Sequence, residues 1–269
     1  MLHTVYHHGI SVRDLAAWRD AIAVLGFTAI EPGAQTPRHY RNVEGDQIGR
    51  YIAWWLGDEI RTHFIENPAT GQQIDLVEIA SRSLRPRRTD APLEGDTTIG
   101  VPVDDPAAAY EAMRAAAPDL AFGEAADADE DGVGFTVEGQ RMVLMPEGSP
   151  WTRVHYGAAG WPKARDFYTG VLGFALRPQS SETGAARFLI EDCGGRVEVE
   201  VSEATACPGE GDGKMYLGGN HFRLLNPDWE GIESRLTQSG LGSWLWQPRN
   251  GFAQIFGPSG ESIELQSAE

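Results

Sequence analysis

Apolar and polar positions alternate with two periods along this chain, and the switches between them mark out its elements. From His7 to Phe27, HHGISVRDLAAWRDAIAVLGF opens with a short apolar run. It then passes a polar break and sets Leu15, Trp18, Ile22 and Leu25 at helical spacing before Gly26. From His155 to Phe174, HYGAAGWPKARDFYTGVLGF follows the same plan, with Ala164, Phe167 and Val171 ahead of Gly173. The two segments begin 148 positions apart, and each predicts strand, helix, glycine cap, strand. Weaker copies start at Thr97 (TTIGVPVDDPAAAYEAMRAAAP) and Asn220 (NHFRLLNPDWEGIESRLTQSG).

Short strand-like runs follow each copy: YIAWWL, IRTHFIE and QQIDLVEI; then VGFTVE and QRMVLMP; then ARFLIE and RVEVEVSE; and finally SWLWQ, FAQIF and SIELQS. Runs of this length between Gly, Pro and Asn turns predict four βαβββ units, an α+β class with helices covering one face of each sheet. Residues 83–95 are polar and proline-rich, and MPEGSPWT at Met145 to Thr152 reads as a boundary. The expected organisation is two modules of two units each, 1–148 and 149–269.

The runs HHGISVRDL…VLGF and HYGAAGWPKARDFYTGVLGF, with the closers NPATGQQIDLVE and GPSGESIEL, resemble the vicinal oxygen chelate superfamily. That superfamily contains glyoxalase I, methylmalonyl-CoA epimerase, fosfomycin and bleomycin resistance proteins and type I extradiol dioxygenases. The resemblance covers essentially the whole chain and implies paired units forming cupped sheets. The first and last strands of each unit then supply ligands to one divalent metal. Carried onto the second module, it gives His155, Glu198, His221 and Glu264 as ligands to Zn, Ni, Co, Mn or Fe(II). Glu198 or Glu264 is the implied base, with Arg196, Arg223, Gln254 and Trp246 as substrate contacts.

The residues support this set independently. The same spacing, 43 positions, separates His155 from Glu198 and His221 from Glu264. In RVEVEV, alternation puts Arg196, Glu198 and Glu200 on one face and the three valines on the other. In SIELQ, Ser262, Glu264 and Gln266 share a face. Carboxylates lining a cup without neutralising charge are costly unless they are wet or hold a cation. Ordinary strand histidines and solvated glutamates are the alternative. In the first module His7 and Asp75 occupy the corresponding positions. The second unit offers Thr98, Ile99 or Gly100 and then Val143, so this half is expected to be metal-free. His8 and His63 read as structural.

Charge narrows the partners. Lys plus Arg is 22 against Asp plus Glu at 39, a formal charge of −17, which repels phosphate backbones and anionic lipid surfaces. A small-molecule substrate is expected, without nucleic acid or membrane, in a cytoplasmic monomer or homodimer. No apolar stretch approaches the length of a membrane span, and the N-terminus lacks a signal pattern. Cys193 and Cys207 have no CxxC spacing and make no disulfide framework. The run from Asp127 to Glu138, DADEDGVGFTVE, matches the EF-hand loop pattern, but a strand-like segment follows it, so an acidic hairpin turn is the expectation. No nucleophile elbow, phosphate-binding loop or dinucleotide fingerprint is present.

These features favour metal-assisted proton transfer on a small oxygenated substrate, as in an isomerase, epimerase or lyase. Extradiol ring cleavage with non-haem Fe(II) is the alternative. Against it, the position of the dioxygenase tyrosine holds Gln254, and SWLWQPRNGFAQIF contains no His or Tyr. A small-molecule binding or resistance protein is the third reading, with an aromatic pocket built from some of the eight tryptophans, among them Trp54, Trp55, Trp161, Trp244 and Trp246.

Overall fold

Asp14 starts the first helix by accepting hydrogen bonds from the backbone N–H groups of Ala16 (2.9 Å) and Ala17 (3.0 Å), the usual way a short acidic side chain caps a helix. The helix ends at Gly26, whose φ of 87° lies in the left-handed region that glycine occupies without steric cost. Gly173 closes the corresponding segment of the third unit at φ 78°. Both caps fall where the sequence pattern predicts them.

The computed structural model describes residues 6–30, 60–79, 92–128, 132–180, 185–202, 218–226, 229–249 and 252–267. The first unit comprises β1 (Tyr6–Val12), α1 (Leu15–Ala23), β2 (Thr28–Ala29), β3 (Ile60–Asn67) and β4 (Gln72–Ile79). The second comprises β5 (Thr97–Pro102), α2 (Pro106–Ala116), β6 (Ala126–Ala128), β7 (Gly132–Val137) and β8 (Gln140–Met145). In the third, β9 (Trp151–Gly157) leads into α3 (Trp161–Asp166), which runs on as a π-helical turn (Phe167–Val171). Then come β10 (Leu176–Gln179), β11 (Ala186–Ile190) and β12 (Arg196–Ser202). The fourth comprises β13 (Gly218–Asn226), α4 (Trp229–Ser239), β14 (Ser243–Arg249), β15 (Phe252–Phe256) and β16 (Ser262–Ser267). The class is α+β, four βαβββ units in two eight-stranded sheets. The predicted run YIAWWL, with Trp54 and Trp55, lies outside the described residues.

The sheets do not follow the halves of the chain. One runs β14-β15-β16-β13-β1-β4-β3-β2 and the other β10-β11-β12-β9-β5-β8-β7-β6. The first unit therefore shares a sheet with the fourth, and the second with the third, which corrects the expectation that consecutive units pair into one sheet. The apolar cores do follow the halves. One gathers residues from Ile10 to Leu144 and the other from Val154 to Leu265, because α1 packs on α2 and α4 packs on the π-helical turn. Helices of neighbouring units thus bury one another while their strands pair across the chain.

Strand alternation turns the apolar residues toward the helices. Ile10 and Val12, Ile99 and Val101, Val197 and Val199 all join these cores, and the intervening side chains are left on the helix-free face. Asp127 and Val133 are partners in the β6–β7 hairpin. Glu138, the last residue of the EF-hand-like run, accepts a 2.8 Å hydrogen bond from Trp18 Nε1. Strands, not helices, flank the run, in keeping with an acidic hairpin. Asp129 and Asp131 lie outside the described residues. No helix among the described residues is long and apolar enough to cross a membrane.

Candidate metal centre

Where β1 meets β13 at the middle of the first sheet, Gly9 lies opposite His221. A Cβ at Gly9 would come within 2.3 Å of the His221 ring, so only glycine lets the imidazole lie across the strand. His7, one inward-facing position earlier on β1, brings its Nε2 to 3.0 Å from His221 Nε2. The parallel neighbour β4 pairs Asp75 with Gly9, which places Asp75 Oδ2 3.1 Å from His7 Nε2 and 3.7 Å from His221 Nε2. On the other side β16 pairs Glu264 with Arg223. The Glu264 oxygens then lie 3.4 Å from His7 Nε2 and 3.7 Å from His221 Nε2. Two imidazoles and two carboxylates, all buried, converge from the central strands β1, β4, β13 and β16.

Electrostatics sets the protonation of this cluster. Burial, helped by His7 and Arg223, holds His221 below its ordinary value against the pull of Glu264 and Asp75, so the ring is neutral and able to donate a lone pair. Burial pushes Glu264 up, but Arg223, then His7 and His221, outweigh it and bring the carboxyl down to about 2. Arg223 reaches Glu264 Oε2 through Nε and Nη2, both at 2.9 Å. Among the described residues Glu264 Oε1, both Asp75 oxygens and His7 Nδ1 meet no hydrogen-bond partner. Buried carboxylate oxygens left in this state are costly, and a divalent cation is one partner able to satisfy them. The donors are two nitrogens and two oxygens, a mixed set suited to a transition metal. His7, Asp75 and His221 alone place one ligand atom each within 4.8 Å of the others.

The predicted quartet His155, Glu198, His221 and Glu264 is not assembled. His221 and Glu264 belong to the first sheet, and His155 and Glu198 belong to the second. The candidate centre draws His7 and Asp75 from one half of the chain and His221 and Glu264 from the other, so neither half carries it alone. The shared spacing of 43 positions misleads, because register and not separation fixes equivalence. Glu264 pairs with Arg223, two residues after His221, whereas Glu198 pairs with Arg153, two residues before His155. Trp151, opposite Gly100, therefore stands where His221 stands. A Cβ at Gly100 would meet the Trp151 ring at 2.3 Å, just as one at Gly9 would meet His221.

By the same register Thr98 and Val143 of the second sheet replace His7 and Asp75. Val143, Met145 and Trp151 form a small apolar cluster there. His155 instead places Nε2 2.7 Å from Thr98 Oγ1 and Nδ1 3.4 Å from Glu200. Glu198, which was expected to lack neutralising charge, is met by Arg153 at 3.0 Å and Arg196 at 2.8 Å. Ion pairing, not a metal, satisfies this carboxylate.

The remaining predicted contacts divide. Arg223 holds Glu264, whereas Arg196 lies in the other sheet against Glu198. Gln254 is the neighbour of Glu264 on β15 and donates to Ser262 Oγ at 2.7 Å. The side chain of Trp246 lies outside the described residues. His8 Nε2 lies 3.2 Å from Thr97 Oγ1, and His63 is half-buried on β3, each apart from the cluster. The signal for His7 and Asp75 was present in the sequence as a His on a first strand and an Asp on a last strand. They were set aside because the second unit offers no ligand at Thr98 or Val143, and a site within the first half alone would be incomplete.

No family model matches the sequence, and no curated protein matches it. Solved structures do match. Glyoxalase I from Zea mays superposes with a TM-score of 0.61 at 13% identity, over 98% of this chain and 92% of that one. A point mutant of the same maize enzyme gives 0.58 at 15%, with the same coverage. A Bacillus subtilis protein provisionally named a dioxygenase gives 0.56 at 14%, over 98% of this chain and 84% of that one. The chain thus shares the fold of glyoxalase I across nearly its whole length, at identities that carry the architecture and not the reaction.

Proposed function

We propose that the protein is a divalent-metal-dependent enzyme of the vicinal-oxygen-chelate type, which acts on a small oxygenated organic molecule by metal-assisted proton transfer. His7, Asp75, His221 and Glu264 are its ligand set. The observation that carries this reading is the convergence of these four buried side chains, with carboxylate oxygens left unpaired, at the centre of the first sheet. A bound transition metal supplies Lewis-acid polarisation of substrate oxygens, which eases removal of a neighbouring proton.

The chain's own groups divide the remaining work. His221, kept neutral by burial, and His7 offer ring nitrogens. Arg223 clamps Glu264 through Oε2 and fixes its orientation. Among the described residues no guanidinium pairs with Asp75, whose Oδ1 is left without a hydrogen-bond partner, and we assign that oxygen the proton-accepting role. That role passes from Glu198 and Glu264 to Asp75, because Glu198 lies in the other sheet and Glu264 is tied to an arginine.

One observation favours extradiol-type Fe(II) chemistry as the second reading. With Glu264 engaged by Arg223, two histidines and one carboxylate, His7, His221 and Asp75, keep one ligand atom each within 4.8 Å of the others. Such a triad leaves positions open on non-haem iron.

Elemental analysis of protein purified without chelators tests both readings, on wild type, His7→Ala, His221→Ala and His155→Ala in parallel. Near-stoichiometric Zn, Ni, Co or Mn, lost in His7→Ala and His221→Ala and kept in His155→Ala, supports proton transfer. Iron with the same pattern supports ring cleavage. A wild type that neither carries nor takes up metal overturns both, and leaves a small-molecule binding protein.

A further inference from the structure

Where β9 ends, three parts of the chain meet over two carboxyls. Glu261, in the turn between β15 and β16, is buried, as are Tyr156 of β9 and Tyr168 of the π-helical turn. Tyr156 Oη donates to Glu261 Oε1 and lies 3.2 Å from Tyr168 Oη. The backbone N–H of Ser259 donates to Glu261 Oε2 at 2.9 Å, while the Ser259 hydroxyl donates to Glu94 Oε2 at 3.3 Å. Half-buried Glu94 also accepts from the Gly157 N–H at 3.3 Å. One serine thus bridges two carboxyls that come from opposite halves of the chain.

Close approach of backbone makes the room. A Cβ at Gly257 or Gly160 would strike Glu261 or Glu94, and one at Gly95 would stand 3.1 Å from the Glu261 Cβ. Residues 92–96, which lead into β5, are pinned at the same place. The Gly95 N–H donates to His155 O at 2.8 Å, and the His155 N–H donates to Asp96 O at 2.9 Å.

The repeats show what the position of Glu261 holds elsewhere. Glu261 stands three residues before Glu264, as Gln72 and Gln140 stand three before Asp75 and Val143, and both glutamines are buried. Their amides donate to the Gly100 and Thr97 carbonyls, each at 3.2 Å. The third unit has Gly195 there, three before Glu198. The fourth unit alone puts an ionisable group at this buried position, and sets it beside a second carboxyl.

We infer that Glu261 and Glu94 form a proton-operated latch, which docks residues 92–96 on the third and fourth units while Glu261 is protonated and lets them go as it ionises. A second negative charge in this desolvated place, next to Glu94, is costly. Burial, with Glu94 adding to it, outweighs Tyr156 and Ser259 and lifts the Glu261 carboxyl to about 7. Burial and Glu261 also push both phenols well up, so they stay neutral and bring no compensating charge. Undocking returns Glu261 to water, where a carboxyl of its kind titrates at about 4.3. The docked value is the higher one, so the latch is strongest below the undocked value, weakens as pH rises toward 7 and changes little beyond.

Hydrogen exchange read by mass spectrometry from pH 5 to pH 8, with intrinsic exchange rates divided out, tests the latch in the intact protein. Protection of peptides holding Gly95 and residues 155–157 should fall about tenfold or more between pH 5 and pH 7 and then level off, while β3 and β4 keep theirs. Glu261→Gln, which carries the side chain of the first two units and should fold as they do, is expected to hold its pH 5 protection throughout. Glu94→Gln should shrink the loss, because it removes like charge and keeps a hydrogen-bond acceptor. The latch is overturned if wild-type protection is the same at pH 5 and pH 8, or if either variant keeps the wild-type pH dependence. It is equally overturned if β3 and β4 lose protection in step with the segment, since that reports unfolding of the whole chain.

Discussion

The two sheets are built from the same unit, joined through the same strand positions, and differ in what stands on their helix-free faces. In the first, His221 crosses over Gly9 and faces His7, Asp75 and Glu264. In the second, Trp151 crosses over Gly100 and packs with Val143, while Thr98 and Glu198 hold the positions of His7 and Glu264. The arginine–glutamate pair survives in both, Arg223 on Glu264 at 2.9 Å and Arg153 on Glu198 at 3.0 Å. The difference separates scaffold from chemistry. The glycine gap and the clamped glutamate belong to the architecture, and the two imidazoles with the aspartate belong to the candidate metal centre alone.

The sharpest way to break this contrast is to remove the crossing side chain from each sheet. His221→Ala should abolish metal retention and with it the stability that a bound ion adds, so that wild type stripped of metal and the variant melt alike. Trp151→Ala should leave metal content unchanged and cost about 3–5 kcal/mol, as large buried aromatics do. Elemental analysis and denaturant melts on both variants read the two effects, and metal loss in Trp151→Ala would contradict the division of roles.

Glycine substitution sharpens the same point. Gly9→Ala and Gly100→Ala each force a Cβ against a ring at 2.3 Å, and each should cost about 1–3 kcal/mol by overpacking. Only Gly9→Ala should also weaken metal uptake, by displacing His221. Competition with a chromogenic chelator would show it, and equal metal affinity in the two variants would count against the assignment.

Clamp removal comes next in size. Arg223→Gln should lower metal affinity about 10- to 100-fold, the usual effect of losing a group that orients a ligand, whereas Arg153→Gln should leave it unchanged. The chelator assay again decides.

The smallest effect is one of pH, away from both faces. Burial pushes the Glu261 carboxyl up to about 7, with Tyr156 and Ser259 pulling the other way and Glu94 adding to the rise. Its folded-state value lies above the unfolded one, so its contribution to stability is complete below the unfolded value and is lost as pH rises toward 7. Glu261→Gln should therefore be more stable than wild type above neutrality and lose that advantage in acid. Thermal midpoints across pH measure this, and a pH-independent difference would refute it.

Much of the fold was legible in the sequence. IRTHFIE, QQIDLVEI, ARFLIE, RVEVEV, FAQIF and SIELQS fall on β3, β4, β11, β12, β15 and β16, because alternation and turn residues act over a few positions. The Gly26 and Gly173 caps were readable for the same reason. His221 and Glu264 entered as candidate ligands through the family resemblance, with strand alternation in support, and His7 and Asp75 were noted as their counterparts.

What the sequence by itself determined was local: four βαβββ units, the helix-facing and helix-free side of each strand, the glycines that end helices, and a pool of metal-competent side chains. Which of those side chains meet was decided by tertiary structure. The first unit pairs with the fourth across more than two hundred positions, and the second with the third, and no periodicity within a unit reports that choice. Register then settled the rest, since a four-residue offset between His155 and Trp151, which takes the position of His221, turns a ligand set into an arginine-bound face.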